Sequence, residues 1–402
     1  MATTYDAIIV GARCAGSPTA MLLARQGLRV LLVDHAKFPS DTVSTQVIHP
    51  PGVAALERWG LLDLIAKQTP PVDHYRFDFG PVVISGTART ADGFATAYAP
   101  RRTLLDKLLI DAAADAGAEV REGFGVDEVL IEDGTVVGIR GRDGDGVSTV
   151  EKGRVVIGAD GRNSRVARAV GAKTYHDKPP LQVGYYSYWR DLTVDGFEIY
   201  LRPERGFAAI ATNDDLTLVL VGWPIAEREA NKVDIEGNFF KTLDLAPSFA
   251  QRVRAATRAE RIVGGAVANY FRQPYGPGWV LIGDAGYCKD PVTAQGIKDA
   301  FRDAEACAAA LGSVFRGEAA FDQVMGDYQR VRDEAALPLY GFTTEFATLE
   351  PPPTEMQQLF AAMQGNQSAM DGFVGVIAGT VSPVEFFHPD HIGQIFAAAS
   401  TP

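Results

Sequence analysis

The opening of the chain constrains its fold more than any other stretch. "DAIIV", Asp6 to Val10, is a β-branched run leading into Gly11, and Gly16 follows five residues later. Helix formers continue to Gln26, Gly27 stops them, and a second apolar run, Arg29 to Val33, ends at Asp34. Strand, tight turn, helix and strand make a βαβ unit. Its turn offers unpaired backbone N–H groups at the positive end of a helix, which suits a pyrophosphate. Gly11 and Gly16 supply the turn and the close helix packing, with Ala15 between them. Asp34 stands where an acidic side chain accepts hydrogen bonds from ribose hydroxyls. One piece is missing: the middle glycine of G-x-G-x-x-G is Arg13. Its cation either projects outward to face phosphate or is solvated.

Composition narrows the class. The 402 residues are 47% hydrophobic and 22% charged, enough for two or three domain-sized cores. A formal net charge of −12 argues against binding nucleic acid or an anionic membrane. Three cysteines, Cys14, Cys288 and Cys307, lie far apart and suggest neither a disulfide framework nor a zinc site. The N-terminal apolar run carries no signal-peptide pattern, and no run of about 20 apolar residues suggests a membrane span. The expected setting is cytoplasmic, with no metal.

Further along, a helix is expected from Arg102 to Ala116, a strand at Glu119 to Glu122, and then a hairpin punctuated by Asp-Gly turns. Residues 176–276 change character, to aromatic and β-branched segments with turns between them. They read as an antiparallel sheet, to which 74–97 contribute. Near 277 the α/β style returns, with helices expected at Ala294 to Leu311 and Phe321 to Glu334. The division is therefore 1–73, 98–175 and 277–335 for a discontinuous Rossmann-like nucleotide domain. The inserted β-sheet substrate domain is 74–97 and 176–276, and 336–402 form a helical C-terminal tail. Phe342, Phe346, Leu359 and Phe360 of that tail are expected to cap a pocket or pack on another subunit.

Two further motifs identify the nucleotide. "VVIGADGRNSRVARAVG", 155–171, is a strand, an Asp160–Gly161 turn and a helix. "WVLIGDAGYCKDPVTAQGIKDAF", 279–301, is a strand ending in Gly283–Asp284, a loop with Pro291, and a helix opening at Ala294–Gln295–Gly296. With "PRRTLLDKLL" between the first two motifs, the set resembles the FAD-dependent monooxygenases related to p-hydroxybenzoate hydroxylase. That superfamily also includes flavin halogenases and geranylgeranyl-reductase-like enzymes. The resemblance covers roughly residues 5–335 and implies an α/β FAD-binding domain of the GR2 type.

The resemblance implies roles by position. Gly11, Arg13 and Gly16 lie along the FAD pyrophosphate, and Asp34 binds the adenosine ribose. Arg102 contacts the cofactor, and Asp160 and Gly161 belong to a motif associated with FAD and nicotinamide cofactors. Asp284 binds the ribityl chain, and Pro291 lies beside the reactive edge of the ring. Two departures stand out: the missing middle glycine, and Asp34 where glutamate is commoner. Gln46 and His49, in "SDTVSTQVIHPPG", are candidate active-site residues, with His49 either a proton shuttle or a structural hydrogen bond. Strand alternation puts Tyr186 and Tyr188 on one face, as a pocket wall or as sheet core. Lys289 and Asp290 read as a loop ion pair or as solvated.

The expected activity is a monooxygenase: NAD(P)H reduces FAD, O2 adds at C4a, and one oxygen atom passes to a small apolar or aromatic substrate. No second glycine-rich βαβ unit is visible for NAD(P)H. That fits a transiently bound co-substrate or a flavin reductase partner; a homodimer is also an expected assembly. The alternative is a reductase of geranylgeranyl-reductase type. A halogenase comes third, because "GWPIAE", 222–227, lacks the W-x-W-x-I-P pattern.

Overall fold

The computed structural model describes residues 4–399; the first and last three residues of the expected division lie outside them. The opening unit forms as strand Tyr5–Val10, helix Gly16–Arg25 and strand Val30–Asp34, the strands pairing in parallel with Ile8 opposite Leu31. Both faces of this sheet are covered, so its strands are continuous apolar runs; all five residues of Val30–Asp34 are buried. Glu119–Glu122 pairs beyond it. On the other side Tyr5–Val10 pairs with the end of Ser148–Gly158, which pairs with Trp279–Leu281. These pairings are all parallel, so the carboxyl ends of the three motif strands stand side by side at one sheet edge. The expected hairpin is Gly125–Glu132 with Thr135–Arg142, turning at Asp133 and Gly134.

The second sheet is antiparallel through Gln182–Arg190, Thr217–Pro224, Arg205–Ala211 and Phe197–Arg202. The early segment adds Tyr75–Asp78 and Val83–Gly86, as expected. One pairing departs from the expectation: Phe197–Arg202 and Tyr75–Asp78 run parallel, which is open to them because no hairpin joins them. Alternation sends Tyr185 and Trp189 to one face, against helices Ile235–Leu243 and Pro247–Ala255. Tyr186 and Tyr188 point to the other.

The long helix Gly296–Phe315 follows the third motif. The next helix, Phe321–Phe346, runs through Pro338, beyond the expected end at Glu334. Its buried side continues from Met325 and Tyr328 to Leu339 and Tyr340, and that packing overrides the local break at proline. The tail then folds onto the Tyr186–Tyr188 face of the second sheet: Phe373 meets Phe77 at 5.4 Å and Phe360 meets Phe79 at 4.5 Å between ring centroids. Each ring buried there contributes about 1.5–3 kcal/mol. Among the described residues no helix is long and apolar enough to cross a membrane.

Candidate active site

Gly11 sits at φ +105°, a conformation that side-chain-bearing residues avoid, and a Cβ there would overlap the Ala159 carbonyl oxygen. A Cβ on Gly16 would overlap the carbonyl oxygen of Gly11. The first turn is therefore pressed against the second motif as well as onto its own helix. Asp34 is buried and closes the turn: Oδ2 accepts from Ala12 N at 2.7 Å and Oδ1 from Ala36 N at 2.8 Å.

Arg13 is neither solvated nor free. Its guanidinium donates to Asp106 Oδ2 at 2.5 Å and to Ser40 Oγ at 3.0 Å, and it lies over the Phe38 ring. Arg102 donates to the other oxygen of the same carboxylate at 2.8 Å and 3.0 Å. Asp106 is fully buried and serves both arginines, with the Cys14 thiol 3.5 Å from Oδ1. Burial pushes that thiol's pKa up, so Cys14 is a packing residue. The role of Asp106 was visible in the sequence only as its spacing from Arg102.

In the second motif, Asp160 Oδ2 accepts from Arg165 N at 2.6 Å at the start of the short helix Arg165–Ala169, whose N-cap is Ser164, while Gly161 turns at φ +74°. In the third, Gly283 abuts Ala15: a Cβ on Gly283 would lie 2.8 Å from the Ala15 Cβ. Gly283 N also donates to Asp303 Oδ2 at 3.2 Å. Asp284 keeps an exposed edge, and no hydrogen bond or ion pair among the described residues uses its carboxylate; burial of its surroundings raises that carboxyl's pKa against the pull of Arg102, Lys289 and Arg162. The start of the late helix is lined by a charge cluster that sequence reasoning missed. Asp299 takes ion pairs from Lys289, Lys298 and Arg302, and Asp303 one from Arg302. Burial would raise Asp299, but the three cations hold it well below the usual carboxylate range. Burial, with Arg302 and Lys289 nearby, brings Lys298 down to about 8.

Lys289 and Asp290 are neither paired with each other nor solvated. Lys289 turns to Asp299, and Asp290 is buried against Gln182 and Asn269. The late helix supplies the partner of Lys289, and two strands supply amides to Asp290, whose Oδ2 they leave without a donor.

Pro291 opens a single 3-10 turn, Pro291–Thr293, that delivers Ala294 in the left-handed region at φ 54°. Gln295 is the N-cap of the late helix, and the exposed Gly296, its first residue, faces open space: nothing lies within 4 Å of a Cβ there. His49 locks this loop to the second sheet. It is fully buried, with Nε2 3.0 Å from the Thr293 carbonyl oxygen and Nδ1 3.1 Å from the Tyr75 hydroxyl. A carbonyl only accepts, so Nε2 carries the proton and Nδ1 accepts from tyrosine. Burial takes the His49 pKa down to about 3, and this geometry is that of a structural bridge. Gln46 is also fully buried, strained at φ 68°, and donates from Nε2 to the Tyr188 hydroxyl at 2.9 Å. Tyr186 and Tyr188 stand edge to face, 5.7 Å between centroids, within the same apolar cluster as Val47 and Ala294. They are thus sheet core whose edge reaches the Gln46 and Pro291 segments. The tail closes the same region: Gln295 Nε2 donates to the Ile377 carbonyl, and the Thr293 and Thr343 hydroxyls meet at 2.9 Å. An open groove of about 460 Å³ on the far face, lined by Trp189 and Phe240 among others, includes none of the motif residues.

Among the described residues four buried amide or carboxylate oxygens lack a donor: Gln46 Oε1, Asp160 Oδ1, Asp290 Oδ2 and Gln295 Oε1. Each orphaned acceptor costs about 1–3 kcal/mol. All four lie in the motifs or the Gln46 segment; hydroxyl and N–H groups of a ligand would satisfy the Gln46, Asp160 and Gln295 oxygens, beside Gly11, Gly16 and Gly283, where no side chain has room. A family model described as FAD binding domain matches residues 4–340. The chain belongs to this FAD-binding family. As a flavoprotein of that family it is a flavin-dependent oxidoreductase. It is 28% identical over 321 residues to digeranylgeranylglycerophospholipid reductase 1 of Methanopyrus kandleri, spanning 74% of this chain and 77% of that protein. Its fold matches the flavin-dependent brominase Bmp2 with a TM-score of 0.83 at 20% identity, covering 98% of both chains. It also matches PqsL of Pseudomonas aeruginosa, described as a probable FAD-dependent monooxygenase, with a TM-score of 0.72 at 19% identity, over 93% and 99% of the two chains. The fold implied by the three motifs is the fold found.

Proposed function

We propose that this flavoprotein is a monooxygenase that uses NAD(P)H and O2 to hydroxylate or epoxidise an apolar or aromatic small molecule. The observation that carries the reading is the closure of the loop at the late helix. The tail docks there through Gln295–Ile377 and Thr293–Thr343, over an aromatic face that includes Tyr186 and Tyr188. Apolar packing of this kind around the loop suits oxygen chemistry that water would divert. The PqsL-like fold supports the same reading.

FAD, when bound, supplies two-electron chemistry between a nicotinamide donor and dioxygen. In this reading Gly11, Ala15 and Gly16 hold the pyrophosphate and Asp34 the adenosine ribose. Arg13 and Arg102, fixed by Asp106, flank that side. Asp160 and Gly161 close the cradle behind the first turn, and Gly283 and Asp284 take the ribityl chain. Ala294, Gln295 and Gly296 present the amide end of the late helix to the ring's pyrimidine side, where negative charge is stabilised. Pro291 borders the reacting edge, and Gln46 orients substrate against Tyr186 and Tyr188. NAD(P)H binds transiently, or a reductase partner delivers the electrons.

NAD(P)H-driven oxygen uptake with a product heavier by one oxygen atom tests the proposal. Uptake that releases only peroxide with every phenolic or polyketide-like compound tried counts against it. The sequence similarity to a phospholipid reductase favours a second reading, hydride transfer to a carbon–carbon double bond. Anaerobic saturation of an isoprenoid chain would establish that one instead.

A further inference from the structure

Asp290 has no part in the mechanism above, yet its carboxyl is 1% exposed at the head of the loop that carries Pro291. Oδ1 accepts from Val292 N at 3.0 Å and from Gln182 Nε2 at 2.5 Å, and Asp290 N donates to Asn269 Oδ1 at 2.7 Å. Oδ2 has no partner. The strand Gln182–Arg190 brings an amide to this carboxyl, and the strand Asn269–Arg272 brings another to its backbone N–H. The loop itself brings one N–H, and the adjacent Lys289 is committed to Asp299. Among the described residues no charged side chain forms an ion pair with Asp290. It is an uncompensated buried carboxylate with one free oxygen, and the species that satisfies such an oxygen at least cost is a proton.

We propose that Asp290 is the proton-holding group of the cofactor loop: Oδ2 takes a proton from solvent when the bound FAD is reduced and gives it back on reoxidation. Two electrons and one proton leave the reduced ring with one added negative charge. The second proton forms the O–H bond on Oδ2, so the loop gains no net charge; on reoxidation that bond breaks and the proton returns to water. Added negative charge nearby disfavours the ionised carboxyl, which sets the direction. Burial already pushes Asp290 up to about 7, against the hydrogen bonds from Gln182 and Val292, so the group is poised at neutral pH. Oδ1 keeps its two donors in both states, so Asp290 acts as a positioning residue for the turn whether or not Oδ2 is protonated.

The inference rests on the FAD placement given above. The test is the midpoint potential of the holoprotein from pH 5.5 to 9, measured by mediated spectroelectrochemistry with bound FAD quantified at each point. In the wild type the proton count per two electrons rises from one toward two around neutral pH and returns to one at higher pH. Asp290→Asn keeps the loop cap and gives one proton throughout the range. Gln182→Met removes the donor that favours the carboxylate, and the rise moves to higher pH. A wild-type count of one at every pH, or the same curve in wild type and Asp290→Asn, overturns the proposal. If Asp290→Asn loses its FAD, an unshifted Gln182→Met curve overturns it and a shifted one supports it. A wild type that holds no FAD overturns the placement itself.

Discussion

The guanidinium of Arg13, standing where a glycine usually faces the pyrophosphate, lies 2.5 Å from the Asp106 carboxylate. The same carboxylate holds Arg102 through its other oxygen at 2.8 Å. One buried acid on the helix Arg102–Asp115 thus turns two arginines alongside the glycine turn, and the missing glycine is accommodated by tying its replacement down. Removing one partner of a buried charge network typically costs about 3–5 kcal/mol. We expect Asp106→Asn to lose at least about 2 kcal/mol in urea denaturation, since the amide retains part of the hydrogen bonding. A loss below about 0.5 kcal/mol would mean that the arginines are indifferent to the acid.

Two glycines in the cradle separate packing from binding. A Cβ on Gly16 collides with backbone, so Gly16→Ala should destabilise the apoprotein by about 1–3 kcal/mol. A Cβ on Gly296 meets nothing, and alanine is the better helix former there by about 0.5–1 kcal/mol. Gly296→Ala should therefore leave the apoprotein as stable as wild type or more so, yet weaken FAD binding, because the new methyl stands where the ring approaches. Thermal melts and flavin titrations on both variants check this; undiminished FAD affinity in Gly296→Ala would move the ring elsewhere.

Asp284 offers an exposed carboxylate that no group among the described residues binds. Asp284→Ala should leave apoprotein stability within about 0.5 kcal/mol. It should weaken FAD by about 1.5–3 kcal/mol, roughly 10- to 150-fold in Kd. Equilibrium dialysis showing full affinity would remove this residue from the ribityl site.

His49 makes stability depend on pH. Its pKa is about 3 when folded, below the ordinary value of 6.5. Between those values the unfolded chain binds a proton that the folded chain excludes. The contribution is complete above about pH 6.5 and falls as the pH drops toward 3, by up to about 1.4 kcal/mol per pH unit. The stability difference between wild type and His49→Gln, measured by denaturation from pH 7 to 4, should shrink at that rate. A constant difference would contradict the buried neutral imidazole.

How much of this was legible in the chain follows from how local each signal is. The glycine turn, Asp34 and the strand at Glu119 to Glu122 formed where read, because steric rules and periodicity act over a few residues. The helix ending at Phe346 rather than Glu334 was hidden, since Pro338 is a local break that only tertiary packing overrides. Arg13 and Asp106 lie 93 positions apart, Asp290 and Gln182 lie 108 apart, and spacing says nothing about such partners. His49 read as either a shuttle or a structural hydrogen bond, and Tyr75 and Thr293 on either side of its ring make it a bridge. The aromatic stripe at Tyr186 and Tyr188 gave its face by alternation. What covers that face came only from the folded tail.

The central claim is that three separated turns hold one flavin, and the visible spectrum of the purified protein tests it most directly. After incubation with FAD and removal of the excess, the account predicts a yellow protein with one FAD per chain and flavin absorption perturbed from that of free FAD. A protein that stays colourless through the same treatment contradicts it.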